Sequence, residues 1–260
     1  MLAPIPSLPV DPEPATAPAR PAFVPDELLL YDLDDSPFCL KTRICFQLKD
    51  VPFRRVTVTV GRRTELRRLD PRGRLPVLVA GADVLAGSKR ITRYLEAQHP
   101  EPALVPAPPE ARAYAALLEE WADETLHFIV GAFKWLNHEN RAAALANTTT
   151  EMAGPLLRPI VGRLVARDAR RRYAASGCTA AGLGELEERM REHLATLATL
   201  LDGRTYLLGR TPTLADVAIF AQLAWMRRYA ERRLLDDAPI VAAWLDRLGS
   251  LPAVAAALAS

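Results

Sequence analysis

A short apolar run, Glu27 to Asp32 (ELLLYD), gives way after three residues to Ser36-Pro37-Phe38-Cys39-Leu40-Lys41-Thr42-Arg43. This junction constrains the fold more than any other stretch. The run reads as a strand, and Leu40, Ile44 and Leu48 recur every four residues, the spacing of an amphipathic helix. Ser36 suits the N-cap and Pro37 the first helical position, where its missing N–H would have been unpaired anyway. A strand that ends on a capped helix presents free backbone N–H groups and the positive end of the helix dipole. Such a corner can hold a thiolate. Ser36 and Cys39 both fall on the first turn, one offering a hydroxyl and the other a thiol.

From Glu27 to about Pro100 the signals run strand, helix, strand, helix, two short strands, helix. Phe53 to Val60 (FRRVTVTV) alternates and is β-branched, as a half-buried strand should be. Arg62 to Leu69 is a short basic helix candidate. Asp70-Pro71-Arg72-Gly73 is turn chemistry, after which Leu75 to Ala80 and Asp83 to Ala86 read as a hairpin across Gly81. Pro76 suits a strand's first residue, and Ser88 reads as the N-cap of a helix over Lys89 to Gln98. This order predicts a small mixed sheet flanked by helices.

The remaining chain divides by composition. Residues 1–26 hold eight of the 22 prolines, interleaved with alanine, and read as an extended or disordered arm. Residues 101–109 read as a proline-rich linker, and 110–260 as an all-helical domain. Glu110 to Leu136 carries Tyr114, Leu117, Trp121, Phe128 and Ile129 at mostly helical spacing. Asn137 to Asn140 interrupts it, and a second helical stretch from Arg141 to Tyr173 is broken at Gly154-Pro155 and Pro159. Leu183 to Leu201 is amphipathic. Thr213 and Asp216 have capping-box spacing, and the helix they open is almost wholly apolar to Met226, so it should be buried nearly all round. Ala238 to Leu248, with Trp244, reads as a final packing helix.

Several classes are disfavoured. A formal charge of +2 gives no global reason to expect nucleic acid, and the basic run Arg167 to Arg172 reads as a solvated helix face. Cys39, Cys45 and Cys178 are too few and scattered for a disulfide framework or a zinc site, and a reducing, cytoplasmic compartment is expected. No metal spacing is seen at His99, His127, His138 or His193. No apolar run approaches the roughly 20 residues of a membrane span, and no phosphate loop, hydrolase elbow or dinucleotide fingerprint appears.

The strand, the Ser-Pro-Phe-Cys turn, Leu75-Pro76-Val77, and Gly87-Ser88 opening a helix that ends Arg93-Tyr94-Leu95-Glu96 together resemble the soluble glutathione transferases. The resemblance covers roughly residues 27 to 249. It implies an α+β thioredoxin-like domain over 27–100, with a mixed four-stranded sheet, followed by the all-α domain. It also implies glutathione as co-substrate, and homodimerisation, the family's usual assembly. In that family the proline corresponding to Pro76 is cis and turns the backbone of the preceding residue, here Leu75, toward the cysteinyl moiety of glutathione. Ser88 would hold the γ-glutamyl carboxylate at a helix N-terminus. One departure is Gly87, where the family commonly carries an acidic partner for the γ-glutamyl ammonium; its absence predicts weakened tripeptide binding.

The expected chemistry is conjugation of the glutathione thiolate to a small apolar electrophile, with Ser36 donating a hydrogen bond to the sulfur. Trp121, Phe128, Phe133, Trp135 and Trp225 are candidates for the electrophile's apolar wall. Two alternatives stay open. Cys39 could form a mixed disulfide with glutathione and support thiol transfer, although a buried bystander is the simpler reading. Tyr31 is another possible hydroxyl near the first strand's end, and more simply a residue packing on the sheet. The segment from Asn137 to Leu183 is long, and its exit from Gly177 through Tyr206-Leu207-Leu208-Gly209 is similar to the metaxin and failed-axon-connections branch, whose members need not be enzymes.

Overall fold

The computed structural model describes residues 27–260; the arm read from residues 1–26 lies outside them. β1 (Leu28–Asp32) leads through α1 (Pro37–Leu48) to β2 (Arg54–Thr57), and α2 (Arg63–Leu69) precedes the hairpin of β3 (Val77–Ala80) and β4 (Asp83–Ala86), which α3 (Ser88–Gln98) follows. The sheet order is β2-β1-β3-β4. β1 and β2 are parallel, as a crossover through a helix requires, whereas β1–β3 and β3–β4 are antiparallel. Leu30, Val77 and Leu78 are fully buried, because the two inner strands are covered on both faces. The strand expected over 53–60 stops at Thr57. Beyond it Val58 donates to the Asp32 carbonyl, and Val60–Arg62 turns as a 3₁₀ segment.

The helical part comprises α4 (Pro109–Trp121), α5 (His127–Leu136), α6 (Arg141–Met152), α7 (Arg158–Ala175), α8 (Leu183–Leu201), α9 (Leu214–Met226), the single turn α10 (Arg233–Asp236), α11 (Pro239–Gly249) and α12 (Pro252–Ala259). Pro159 does not break α7; it sits in its first turn, where no N–H is required. Between α4 and α5, Ala122–Leu126 forms a π-helical turn, so the stretch expected as one helix changes register there.

α9 is the centre of the helical layer. Twelve of its residues are buried, and it packs on α1, α4 and α5. Its start is held by one carboxylate. Asp216 accepts from the Thr213 and Leu207 N–H groups at 2.8 and 2.9 Å, from the Thr213 hydroxyl at 2.8 Å, and from Trp244 Nε1 at 3.2 Å. The same side chain therefore caps α9, pins the Tyr206–Leu208 turn and anchors α11.

Two buried ion-pair networks join the layers. Arg43 Nη1 lies 2.6 Å from Asp32, and its Nε donates to the Ala257 carbonyl at 3.1 Å, tying α12 to α1. Lys41 Nζ meets Glu119 at 2.6 Å and Asp123 at 2.7 Å, bridging α1 to α4 and the π turn. α12, which the sequence pattern does not predict, buries Val254 and Ala257 against α1. Among the described residues no single helix is long and apolar enough to cross a membrane.

Candidate active site

Strand direction brings three of the expected site residues to one end of the sheet. β1 ends at Asp32 and leads to Ser36; β3, antiparallel to it, begins one residue after Pro76; β4, antiparallel to β3, ends one residue before Gly87. The Gly87 N–H donates to the Pro76 carbonyl at 2.9 Å, joining two of these points directly.

Ser36 is the N-cap of α1, with extended backbone, and its Oγ accepts from the Cys39 N–H at 3.4 Å. That weak bond uses the oxygen's lone pair. The hydroxyl hydrogen stays free to donate. The Leu75–Pro76 peptide is cis, and the backbone N–H and C=O of Leu75 make no hydrogen bond among the described residues. These groups are open to pair with an extended peptide, as a strand edge would be.

Ser88 is buried at 6% exposure, but it is not the N-cap. Gly87 holds that position, with φ 93°, and Ser88 is the first helical residue. The reason is the turn itself: leaving β4 for α3 requires a positive φ, which glycine adopts without the penalty of a Cβ. An acidic residue at 87 would carry that strain.

Beside Ser36 opens a cavity of ≈ 530 Å³, whose lining includes Phe38, His127, Phe128, Trp135 and Trp225. Three of the expected wall residues, Phe128, Trp135 and Trp225, thus meet Ser36. Trp121 does not: it packs edge-on to His193 at 5.4 Å, on the side facing α8. The π turn between Trp121 and His127 inserts an extra residue, so residues before and after it point to different sides. Phe133 is wholly buried core.

Cys39 has no exposed surface, and burial, helped by the Asp32 carboxylate, pushes its thiol well above the ordinary range. It is a neutral core thiol rather than a nucleophile. Cys45 behaves alike, its pKa pushed up to about 12 by burial. The Tyr31 hydroxyl donates to Glu65 Oε1 at 2.6 Å, which with burial raises its pKa and places it against α2 instead of beside Ser36. Among the described residues no cluster of His, Cys, Asp and Glu could hold a metal ion.

Three groups at the cavity, Asp35, Lys134 and His127, escaped sequence reasoning. Asp35 accepts from Lys134 Nζ, from the Thr148 hydroxyl, and from Trp225 Nε1 at 3.0 Å, so the residue before Ser36 is locked to the helical layer. Lys134 is almost entirely buried, and its ammonium lies 4.6 Å from the Trp135 ring centre and 4.9 Å from that of Trp225. Burial lowers its pKa, and Asp35 opposes the shift. His127 stacks parallel to Trp225 at 5.7 Å and tilts on Phe38 at 4.5 Å. Burial depresses its pKa to about 4, so it is neutral, and its Nδ1 pairs with Gln222 Oε1 at 3.3 Å. With Nδ1–H as donor there, Nε2 is left as an acceptor. The sequence signals for these groups are faint: Lys134 is the one charged residue after His127 in HFIVGAFKWL, and its partner lies 99 residues away.

Comparison with known proteins places this geometry. Residues 30–103 match the family described as glutathione S-transferase, N-terminal domain, and residues 159–247 match glutathione S-transferase, C-terminal domain. The chain is similar to protein LigF of Sphingobium sp. strain SYK-6, 25% identical over 87% of this chain and 91% of LigF. It is 28% identical to maleylpyruvate isomerase of Ralstonia sp., over 77% and 82% of the two chains. It is also 28% identical to FtsZ-localized protein A of Caulobacter vibrioides, over 76% of each. Among solved structures, the β-etherase LigF superposes with a TM-score of 0.68 at 24% identity, covering 89% of this chain and 98% of that one. A glutathione S-transferase from Methylobacterium radiotolerans, in complex with glutathione sulfonate, superposes with a TM-score of 0.64 at 25% identity, over 89% and 94%. These matches lend no support to the metaxin-like branch.

Proposed function

The chain belongs to the glutathione transferase superfamily, and from that premise we propose that it conjugates the glutathione thiolate to an aromatic electrophile. The observation that carries the reading is that the Ser36 hydroxyl, free to donate, opens directly onto an aromatic cavity at the end of the sheet shared with Leu75, Pro76 and Ser88. In this reading the cysteinyl backbone of glutathione pairs with Leu75, and the γ-glutamyl carboxylate meets Ser88 and the first N–H groups of α3. The sulfur then lies at the start of α1, where the helix dipole and the Ser36 hydroxyl favour the thiolate. The electrophile fills the cavity against Phe128, Trp135 and Trp225. Cys39, sealed and protonated, takes no part. The reading takes the family's usual homodimer as its assembly and the cytoplasm as its compartment.

A second reading, a non-catalytic interaction protein that does not use glutathione, is favoured by Gly87, which leaves the γ-glutamyl ammonium without its usual neighbour, and by the likeness to FtsZ-localized protein A. Calorimetric titration with reduced glutathione separates the two. Conjugation predicts saturable binding that Ser88→Ala weakens about tenfold, the value of one charge-assisted hydrogen bond. No heat at millimolar glutathione would discard the transferase reading and leave the interaction role.

A further inference from the structure

Tyr173 stands at the cavity wall with a hydroxyl that no other group engages. Its ring tilts on Phe128 at 5.3 Å, and among the described residues its Oη takes part in no hydrogen bond. What lets it lie there is a glycine across the gap. A Cβ at Gly131 would sit 1.9 Å from Tyr173 Oη, so the absent side chain is the space the hydroxyl fills. Gly131 is one helical turn from both His127 and Trp135, which themselves line the cavity. The Tyr173 hydroxyl is thereby set midway along the wall that α5 supplies.

Unlike the other polar groups of this wall, Tyr173 has no internal partner. Asp35, Lys134 and Thr148 satisfy one another, and His127 is tied to Gln222. Burial pushes the Tyr173 pKa up to about 12, so the group is a donor throughout the physiological range. An unpaired phenol in an aromatic cavity loses free energy when a wholly apolar ligand displaces its water. It gains when the ligand brings an acceptor.

We propose that Tyr173 Oη–H donates a hydrogen bond to an oxygen of the electrophile, so that the cavity selects flat aromatic substrates carrying an acceptor oxygen that gains negative charge as sulfur attacks. This rests on the reading that the cavity beside Ser36 holds the electrophile. With 1-chloro-2,4-dinitrobenzene, the thiolate lone pair forms the S–C bond at the chlorinated carbon while a ring electron pair moves onto a nitro oxygen. Tyr173 stabilises that oxygen by hydrogen bonding and keeps its proton. The pair then returns to the ring, and chloride leaves with the C–Cl bonding electrons.

The test is Tyr173→Phe, which removes one oxygen and keeps the packing. Turnover of 1-chloro-2,4-dinitrobenzene is expected to lose at least about tenfold in kcat/KM, as for other donors to a developing oxyanion. Benzyl chloride, which has no oxygen, should be turned over at least as fast as by the parent, since the variant no longer leaves a phenol unpaired against an apolar ligand. Binding gives a readout that needs no turnover, because Trp135 and Trp225 line the cavity and report ligand by fluorescence quenching. Tyr173→Phe should weaken S-(2,4-dinitrophenyl)glutathione about fivefold, the value of one neutral hydrogen bond, and should bind S-benzylglutathione at least as tightly as the parent, because the unpaired phenol is gone. Gly131→Ala, whose Cβ displaces the hydroxyl, should reproduce the loss, and the double variant should add nothing. Selective weakening without turnover upholds the Tyr173 contact while removing the transferase reading. Equal effects on both ligands, no effect on either, or failure of the parent protein to bind either conjugate overturns the proposal; in the last case glutathione titration alone still judges the tripeptide site.

Discussion

Ser36 takes its place from its two neighbours. Pro37 starts the helix, and Asp35 is gripped by Lys134, Thr148 and Trp225. The first half of that arrangement is local and legible in a few residues, since cap chemistry depends only on side-chain type and spacing. The second half joins positions 99, 113 and 190 residues apart, and no local pattern reports it. Cys39 shows the same limit. First-turn placement puts a thiol near the dipole, yet which face of the turn meets the core is decided by packing. His127 carries a pH dependence whose sign is fixed by burial. Its folded pKa of about 4 lies below the ordinary 6.5, so between those values the unfolded chain binds the proton and the folded one does not. Stability from this group is complete above pH 6.5 and is lost as pH falls toward 4, by up to roughly 3 kcal/mol. Urea unfolding at pH 7 and pH 5 should show a drop in the parent protein that His127→Gln reduces; equal drops in both would show that the imidazole is not held neutral.

Helix and strand order follows the hydrophobic period closely, because the amphipathic pattern and the turn residues act within each segment. Two of the places where the pattern misleads do so for different reasons. A π turn leaves the apolar period of 110–136 nearly intact while rotating the residues beyond it, which separates Trp121 from Phe128 and Trp135. α12 is too apolar and alanine-rich to declare a face, and its placement comes from carbonyls that Arg43 and Arg55 reach at Ala257 and Ser260. The capping box of α9 was readable, but its wider duty was not: Asp216 also holds Leu207 and Trp244. Asp216→Ala would leave three buried N–H groups without an acceptor. Each such loss costs about 1–3 kcal/mol, so the variant should unfold at a urea concentration corresponding to at least roughly 3 kcal/mol less stability. A loss below about 1 kcal/mol would mean that water replaces the carboxylate.

At the scale of the whole molecule, the cleft exists because two layers of unlike construction meet along α1. Lys41 binds α4 and the π turn, Arg43 binds α12, and Asp35, just before the α1 cap, binds α5, α6 and α9, so α1 and the turn that leads into it set the sheet end against the aromatic wall. The sheet end supplies backbone and hydroxyl donors suited to a peptide thiol. The helical wall supplies an apolar, aromatic surface. In the proposed reaction neither layer alone would enclose both reactants. The measurement that tests this account most directly is ultraviolet difference titration of protein-bound glutathione against pH, in the parent protein and in Ser36→Ala. The account predicts that bound glutathione ionises at least about one pH unit below an ordinary thiol near 8.5, and that the shift shrinks in the variant. A bound thiol that ionises at its free value, or a shift indifferent to Ser36, would contradict it.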